Sequence, residues 1–360
     1  MRALPGHRAA RHMTRNDTHS TPIPTRWIGP LTICGNAMND TVRVPLATYE
    51  SPLWPSTARG AKVAEHCGGV RCTIVDERMA RSVLLTAADA ASAFAALQSI
   101  RARRDELAAV IAATSRFARL LDLHAEIVGN LLYLRLECSS GDASGHNMIT
   151  KAADAAISWL LAEYPQLAYG SISANYCTDK KASAVNGILG RGKNVVAELT
   201  IPRRICERLL RTTPEQIVAL NLRKNFIGGI LAGSIRSANA HFANILLAFY
   251  LATGQDAANI IEGAQGIVHA ETRDGDLYFS CTLPNLIVGT VGNGKGDTLA
   301  TVEAHLQALG CREARPTGEN ARRLAAICAA TVLCGELSLL AAQTNPGELM
   351  RAHLALERRA

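Results

Sequence analysis

Aromatic residues are scarce in this 360-residue chain, 4% of the total against 48% hydrophobic residues, so its core must be built from Ala, Leu, Ile and Val. A Lys/Arg stripe interleaved with aromatics is also missing, which argues against a nucleic-acid partner. The formal net charge of +7 does not reverse that, because much of the basic excess sits near the ends, at Arg2, Arg8, Arg11 and Arg15 and at Arg351, Arg358 and Arg359. A phosphorylated small ligand would need only a few of these cations. No CxxC pair occurs among the ten scattered cysteines, a pattern that fits reduced thiols in a cytosolic protein better than a disulfide framework. Neither GxGxxG after a first strand nor HExxH is present, so no dinucleotide fingerprint of that type and no metal site is expected. The first 22 residues lack an apolar run, which excludes a secretory signal; they read as a disordered leader, with Met13 or Met38 nearer the true start. The most apolar stretches, 227–253 and 324–342, carry Arg236, His241 and Glu336 and read as buried helices, not membrane spans.

What the chain does contain is a change of period along its length. Residues 86 to 112 are Ala-rich at helical spacing. Then Leu121, Leu123, Ala125 and Ile127 alternate with Asp122, His124 and Glu126, and after Gly129-Asn130 the residues Leu132, Leu134, Leu136 and Cys138 alternate with Tyr133, Arg135 and Glu137. That pattern predicts a β-hairpin with one buried face. SSGDASGHNM (139–148) opens a helix to about Tyr164, stopped by Pro165, so helix, hairpin and helix form an α+β module over roughly 83–171. Further on, NVVAELTIP (194–202) alternates as a strand. Thr213-Pro214-Glu215-Gln216 places Thr as N-cap, Pro at the first helical position and Gln for a capping box. The small residues from Gly228 to Ala243 predict a long, closely packed helix. A strand over 276–283 leads through Pro284 into GTVGNGKG (289–296), and 319–342 forms the last apolar helix before a polar tail with His353.

Several polar clusters interrupt this apolar frame. Glu50, between Tyr49 and Pro52, is an ordinary loop glutamate or a carboxyl whose pKa is raised by apolar company. Asp256 sits in an otherwise apolar helical pattern, as a helix-end aspartate or as the partner of a cation. Asn239, His241 and Asn244 place three polar groups in a helix core. GTVGNGKG could cradle a pyrophosphate, although a plain tight turn accounts for it equally well. In NYCTDKKAS (175–183) the adjacent Lys180 and Lys181 read, taken alone, as solvated surface charge.

Together the clusters fall within longer blocks. SGDASGHNMITKA (140–152), SANYCTDKKASAVNGILGRGKNVVAELTIP (173–202), KNFIGGILAGSIRSANAHFANILLAFYLATGQDAA (224–258), LYFSCTLPNLIVGTVGNG (277–294) and ENARRLAAICAATVLCGELSLLAA (319–342) closely resemble, in the same order, the catalytic region of the 3-hydroxy-3-methylglutaryl-coenzyme A (HMG-CoA) reductases, class I type. The likeness runs from about Ile28 to His353. It implies reduction of the HMG-CoA thioester to mevalonate with two hydrides from NADPH and release of CoA. On the matching positions, it makes Lys180 the catalytic lysine beside the developing oxyanion, Glu50 the acid, Asp256 the carboxylate between them, and His353 the proton donor to the CoA thiolate. Substrate contacts carry over to Arg81, Ser173, Lys181, Lys224, His241 and Asn244. Cofactor contacts carry over to Asp142, Gly145, Asn147, Met148, Gly292 and Gly294, with Ser115 and Arg116 on the 2′-phosphate that separates NADPH from NADH.

The resemblance also implies a fold and an assembly. The fold is α+β: a large, mainly helical substrate-binding domain (25–82 and 172–360, with a connecting loop at 171–183) carries an inserted ferredoxin-like α/β NADP-binding small domain (83–171), behind a leader at 1–24. The assembly is a homodimer or tetramer with its active site at the subunit interface. Some features depart from the family: its ENVIGY-type segment is not recognisable, Ser144 and His146 replace methionines of the DAMGMNM loop, and Arg236 takes a position that is small in animal enzymes. The animal membrane anchor and C-terminal phosphorylated serine are not found, so a soluble, cytoplasmic, bacterial-type enzyme is expected. Two rival readings are a reductase for a related acyl-CoA and an inert CoA- or nucleotide-binding relative. The second is disfavoured because Glu50, Lys180, Asp256 and His353 are all present.

Overall fold

The computed structural model describes residues 21–294 and 299–357, without the side chains of 352, 353 and 355–357; residues 1–20 of the expected leader and the side chain of His353 therefore lie outside the description. In chain order, β1 (Thr25–Gly35) and β2 (Asn39–Ala47) form a hairpin, α1 (Leu53–His66) crosses over, and β3 (Val70–Thr86) returns parallel to β1. Next come α2 (Ala90–Ala102), α3 (Arg104–Thr114), β4 (Leu120–Val128), β5 (Leu131–Cys138), α4 (His146–Glu163) and β6 (Ala168–Ser171). Then follow β7 (Gly192–Ile201), α5 (Pro214–Leu220), α6 (Phe242–Ala252), β8 (Ile267–Arg273), β9 (Asp276–Leu286), α7 (Glu319–Gln343) and α8 (Glu348–Glu357), with further helical segments between them, among them Asn221–Gly228 and Ala300–Ala308.

β3 belongs to two sheets. Its first part, from Arg71 to Arg78, pairs antiparallel with β7, and its second, from Met79 to Thr86, pairs antiparallel with β5 and at its end with β6. One sheet thus runs β2-β1-β3-β7-β9-β8 and the other β4-β5-β3-β6. Each has its own apolar core: one gathers α1, α6 and α7 against the first sheet, the other gathers α2, α3 and α4 against the second. Every residue of α7 from Leu324 to Ser338 is buried, as a helix that is apolar all round must be. By length and composition it could cross a membrane, yet 94% of its most apolar stretch is buried inside the protein.

Local signals are followed closely where they are local. The hairpin turns at Gly129-Asn130, Thr213 and Gln216 form the capping box of α5, and α4 starts at His146 and ends at Glu163. Elsewhere the structure differs. The large part of the chain contains a six-stranded sheet, so mainly helical understates its β content. Arg135 and Glu137 are fully buried instead of solvent-facing, because the segment ahead of β7 covers that side of β5. The long helix expected over 228–243 is broken: a short helix Gly229–Leu231 gives way to irregular chain before α6, with Gly233 and Arg236 in left-handed conformations. Asn239 and His241 accordingly precede α6, and of the three polar groups expected inside a helix only Asn244 lies in one.

Glycine lets α1 and α7 approach. A Cβ at Gly60 would lie 2.0 Å from the carbonyl oxygen of Cys334, inside contact distance of rigid helix backbone. Gly60→Ala should therefore force the helices apart and lower stability by about 2 kcal/mol or more, read as a drop in thermal unfolding temperature. An unchanged midpoint would mean the two helices tolerate the separation.

Candidate active site

The NYCTDKK segment links β6 to β7, and its backbone is held in uncommon conformations: Asn175, Thr178 and Lys180 all have positive φ, Lys180 at 55°. Two buried side chains impose this. The Lys180 N–H donates to Glu262 Oε1 at 2.7 Å, and the same oxygen accepts from Arg191 at 2.8 Å. Arg191 also bonds Asp179 at 2.8 Å, and Arg81 stands 3.7 Å from the other Asp179 oxygen. Burial raises the Asp179 pKa, but His146, Arg191 and Arg81 outweigh it and hold the carboxyl well below the ordinary range. So placed, Lys180 Nζ lies 2.6 Å from Asp256 Oδ2. Partial burial raises the Asp256 carboxyl, while Lys180 and the Ala258 N–H more than offset this and lower its pKa. Asp256 is not inside a helix; it caps the short turn Ala257–Asn259 after α6.

Lys180 and Asp256 open into a cavity of about 570 Å³ with Arg81, the loop from Ala143 to Met148, and Gly292 to Gly294. The expected cofactor residues Gly145, Asn147, Met148, Gly292 and Gly294 are therefore gathered around the expected catalytic pair. Gly145 caps α4 with φ 96°, so the free N–H groups of an 18-residue helix begin here, a ready site for anionic groups. Packing between the two loops demands glycine at 289, where a Cβ would meet Ser144 N at 2.3 Å. Beside this lies a second cavity of about 520 Å³ lined by Glu77, Arg116, Phe117, Ser139, Gly141, Thr317 and Arg322. Ser115 reaches Met148 Sδ at 3.2 Å, tying the Arg116 segment to the start of α4. Glycine-flanked backbone, a helix N-terminus and exposed guanidinium groups suit a phosphorylated dinucleotide. Asp142 is placed differently: its carboxylate accepts from Gly318 N and Ala321 N at 2.8 and 3.0 Å and so anchors the start of α7.

Glu50, His241 and Asn244 line another cavity, of about 390 Å³, with Arg59 and Glu348. One chain thus joins Lys180 to Asp256 but puts Glu50 in a separate pocket. Of the remaining expected contacts, Ser173 is exposed, and Lys181 turns back to the Asp179 carbonyl at 3.0 Å. Lys224 is half-buried; burial lowers its pKa despite the nearby charge of Glu336.

Glu336 was visible in the sequence only as an acid within an apolar helix. It is wholly buried in α7 and accepts from the N–H groups of Ala240 and His241, the latter at 3.0 Å. The His241 Nε2–H donates to the Gly335 carbonyl at 3.0 Å, which assigns the neutral tautomer and leaves Nδ1 as an acceptor. Burial pushes the His241 pKa down to about 4 and that of Glu336 up to about 7. A further acidic cluster, Asp122, His124 and Glu137, has ligand atoms within 4.8 Å of one another. Arg78 and Arg135 already hold the two Glu137 oxygens at 2.6 and 2.7 Å.

Residues 3–358 match the family model described as hydroxymethylglutaryl-coenzyme A reductase. Among curated proteins named 3-hydroxy-3-methylglutaryl-coenzyme A reductase, that of Pyrococcus horikoshii is 44% identical over 339 residues, covering 93% of this chain and 81% of its own. That of Aeropyrum pernix is 42% identical over 345 residues, covering 95% and 81%. That of Xenopus laevis is 41% identical over 345 residues, covering 94% of this chain and 38% of the frog protein. The chain also resembles the solved class II 3-hydroxy-3-methylglutaryl-CoA reductase from Streptococcus pneumoniae bound to NADPH in open conformations. The TM-score is 0.74 over 92% of this chain and 88% of that one; at 21% identity the likeness is one of fold.

The raised pKa of Glu336 has a consequence for stability. Its charged form is penalised only in the folded state, so the contribution of this group to stability falls as pH rises from its ordinary value of 4.5 towards about 7, and levels off above, while the lowered pKa of His241 contributes in the opposite sense and is common to wild type and variant. Glu336→Gln should lack this slope, so that denaturant unfolding at pH 5 and pH 8 differs between the two proteins by on the order of 3 kcal/mol. Equal pH dependence would place the titration elsewhere.

Proposed function

The chain belongs to the hydroxymethylglutaryl-coenzyme A reductase family, and from that premise we propose the roles that its residues take in reducing HMG-CoA to mevalonate and free CoA with NADPH. The observation that carries the proposal is the Lys180 ammonium, fixed at 2.6 Å from Asp256 in the cavity formed by the nucleotide loop. Two NADPH, bound in turn, would supply one hydride each. Arg81 and the start of α4 offer a cation and free N–H groups to bound anionic groups, and Arg116 offers a guanidinium for the 2′-phosphate. As charge develops on the thioester oxygen, Lys180 stabilises it, and Asp256 keeps the ammonium charged and aimed. After the first reduction His353 would give a proton to the thiolate that departs as the aldehyde forms, and in the second reduction Glu50 would give one to the aldehyde oxygen. The class I assignment rests on the sequence blocks that carry these residues.

In this reading the small domain is the βαββαβ unit from the second part of β3 to β6, a ferredoxin-like arrangement inserted into the substrate-binding part. The active site is completed by a second copy, whose Glu50 pocket meets the Lys180 cavity. Two features support this: a single chain holds Glu50 apart from Asp256, and Ile230 and Leu231, close to Lys224, are 78% and 84% exposed. Large apolar side chains so exposed commonly mark an interface. Ten free cysteines, eight of them buried, fit a cytoplasmic setting.

The direct experiment mixes purified protein with HMG-CoA and NADPH and follows cofactor absorbance and mevalonate. Turnover is expected, and Lys180→Ala should lower kcat by about 10²–10³-fold or more with the fold intact. Retained activity would mean that the lysine is misassigned. Co-expression of Lys180→Ala with Glu50→Gln tests the shared site. Hybrids should recover activity that neither variant shows alone, because one of their two sites is then wholly native; no recovery would place both groups within one chain's site.

A further inference from the structure

His146 is a titratable side chain in this cavity to which the reaction scheme above gives no role. It is the first residue of α4, its side chain is 17% exposed, and it lines the same cavity as Lys180 and Asp256. Its Nδ1 lies 3.3 Å from Ser144 Oγ, and its Nε2 lies 3.6 Å from Asp179 Oδ1. That Nε2 is shielded from solvent and has no hydrogen-bond partner among the described residues. An imidazole whose Nε2 is buried at the wall of a cavity, just beyond bonding distance of a carboxylate, keeps Nε2–H turned to that carboxylate and takes its second proton at Nδ1. The groups facing it come from three elements: Asp179 in the lysine loop, Asp256 after α6, and Ser144 in its own loop. Behind these, Arg81 and Arg191 stand at Asp179 and Lys180 at Asp256.

We propose that His146 is a proton-linked binding residue for the dinucleotide, whose protonated form adds a cation to the cavity wall at the start of α4. The inference rests on the cofactor reading above and goes beyond it by making nucleotide affinity depend on pH through one named side chain. Ser144 supports it: with Nε2–H turned to Asp179, the Ser144 hydroxyl accepts from Nδ1–H in the charged form and donates to Nδ1 in the neutral one, so neither state strands a donor. A dinucleotide diphosphate carries negative charge at every pH of interest, so proton and ligand favour one another. A single added charge in the partly solvated wall of the cavity changes affinity for an anion by roughly three- to tenfold.

The test is direct binding, not turnover. NADP⁺ dissociation constants are measured for the wild type, His146→Gln and His146→Met from pH 5.5 to pH 8.5, with thermal unfolding to confirm that each variant is folded. Protonation of the ligand's own phosphate is common to all three proteins and cancels in their ratios. Wild-type affinity should rise by roughly three- to tenfold relative to both variants as pH falls from 8.5 to 5.5. In parallel, the imidazole Cε1–H resonance missing from the His146→Gln spectrum should titrate at higher pH with NADP⁺ present than without it. Parallel pH profiles in the three proteins, or a resonance whose titration ignores the ligand, would overturn the proposal. A wild type that binds no NADP⁺ at any pH would overturn the cofactor reading, and this inference with it.

Discussion

The buried guanidinium of Arg191 is the constraint on which the site depends. It is removed from water, with Asp179 and Glu262 each 2.8 Å from one of its terminal nitrogens. An isolated charge there would cost several kcal/mol, and the two carboxylates make it tolerable. Glu262 is the shared element, since one of its oxygens takes both Arg191 and the Lys180 N–H. The left-handed turn at Lys180 therefore cannot relax without leaving a buried charge short of a partner. A strained conformation at a reactive residue persists when its surroundings over-determine it in this way.

A second arginine fixes the same segment from the opposite sheet. Arg135, on β5 and fully buried, donates to the Tyr176 carbonyl at 2.7 Å, to Asn186 Oδ1 at 3.1 Å and to the Gly190 carbonyl at 2.5 Å, while its own charge is met by Glu137. The stretch from Tyr176 to Arg191 is thus gripped from the β5 side and from the Glu262 side. β3 makes this possible, because its two parts pair with β7 and with β5 and so hold the two sheets at one junction. Reactive side chains supported on strands through buried bonds are held more closely than side chains on a free loop.

Legibility in the sequence follows the range of each interaction. The β4–β5 hairpin, α4, the capping box of α5 and the apolar α7 were readable because alternation, caps and all-round apolarity are properties of neighbouring residues. β1 and β2 were not, since Gly29, Pro30 and Pro45 interrupt their alternation and the pairing that rescues them is made with other strands. Residues 228–243 misled because small side chains satisfy a helical period as readily in a glycine-rich turn as in a packed helix. Alternation placed Arg135 and Glu137 correctly on one face of β5 but said nothing about the segment that later covers it. Within the site, Lys180 and Asp256 were found by resemblance. Arg191, Glu262 and Glu336 were missed, although an acid in the middle of a helix as apolar as α7 is a signal, because such a group must find buried donors.

Exposure sets the last requirement. In a single chain the side chains of Lys180 and Asp256 are 40% and 45% exposed, and an ion pair so open to water contributes little. A lysine that must stabilise a developing oxyanion gains its advantage from a dry, fixed surround. The network beneath Lys180 fixes its backbone but does not dry the ammonium above it. Drying has to come from the ligands that fill the cavity and from what covers its mouth. The strong interactions of this chain are thus concentrated beneath Lys180, where they hold its backbone, and the side chain above them is left open to respond to what binds.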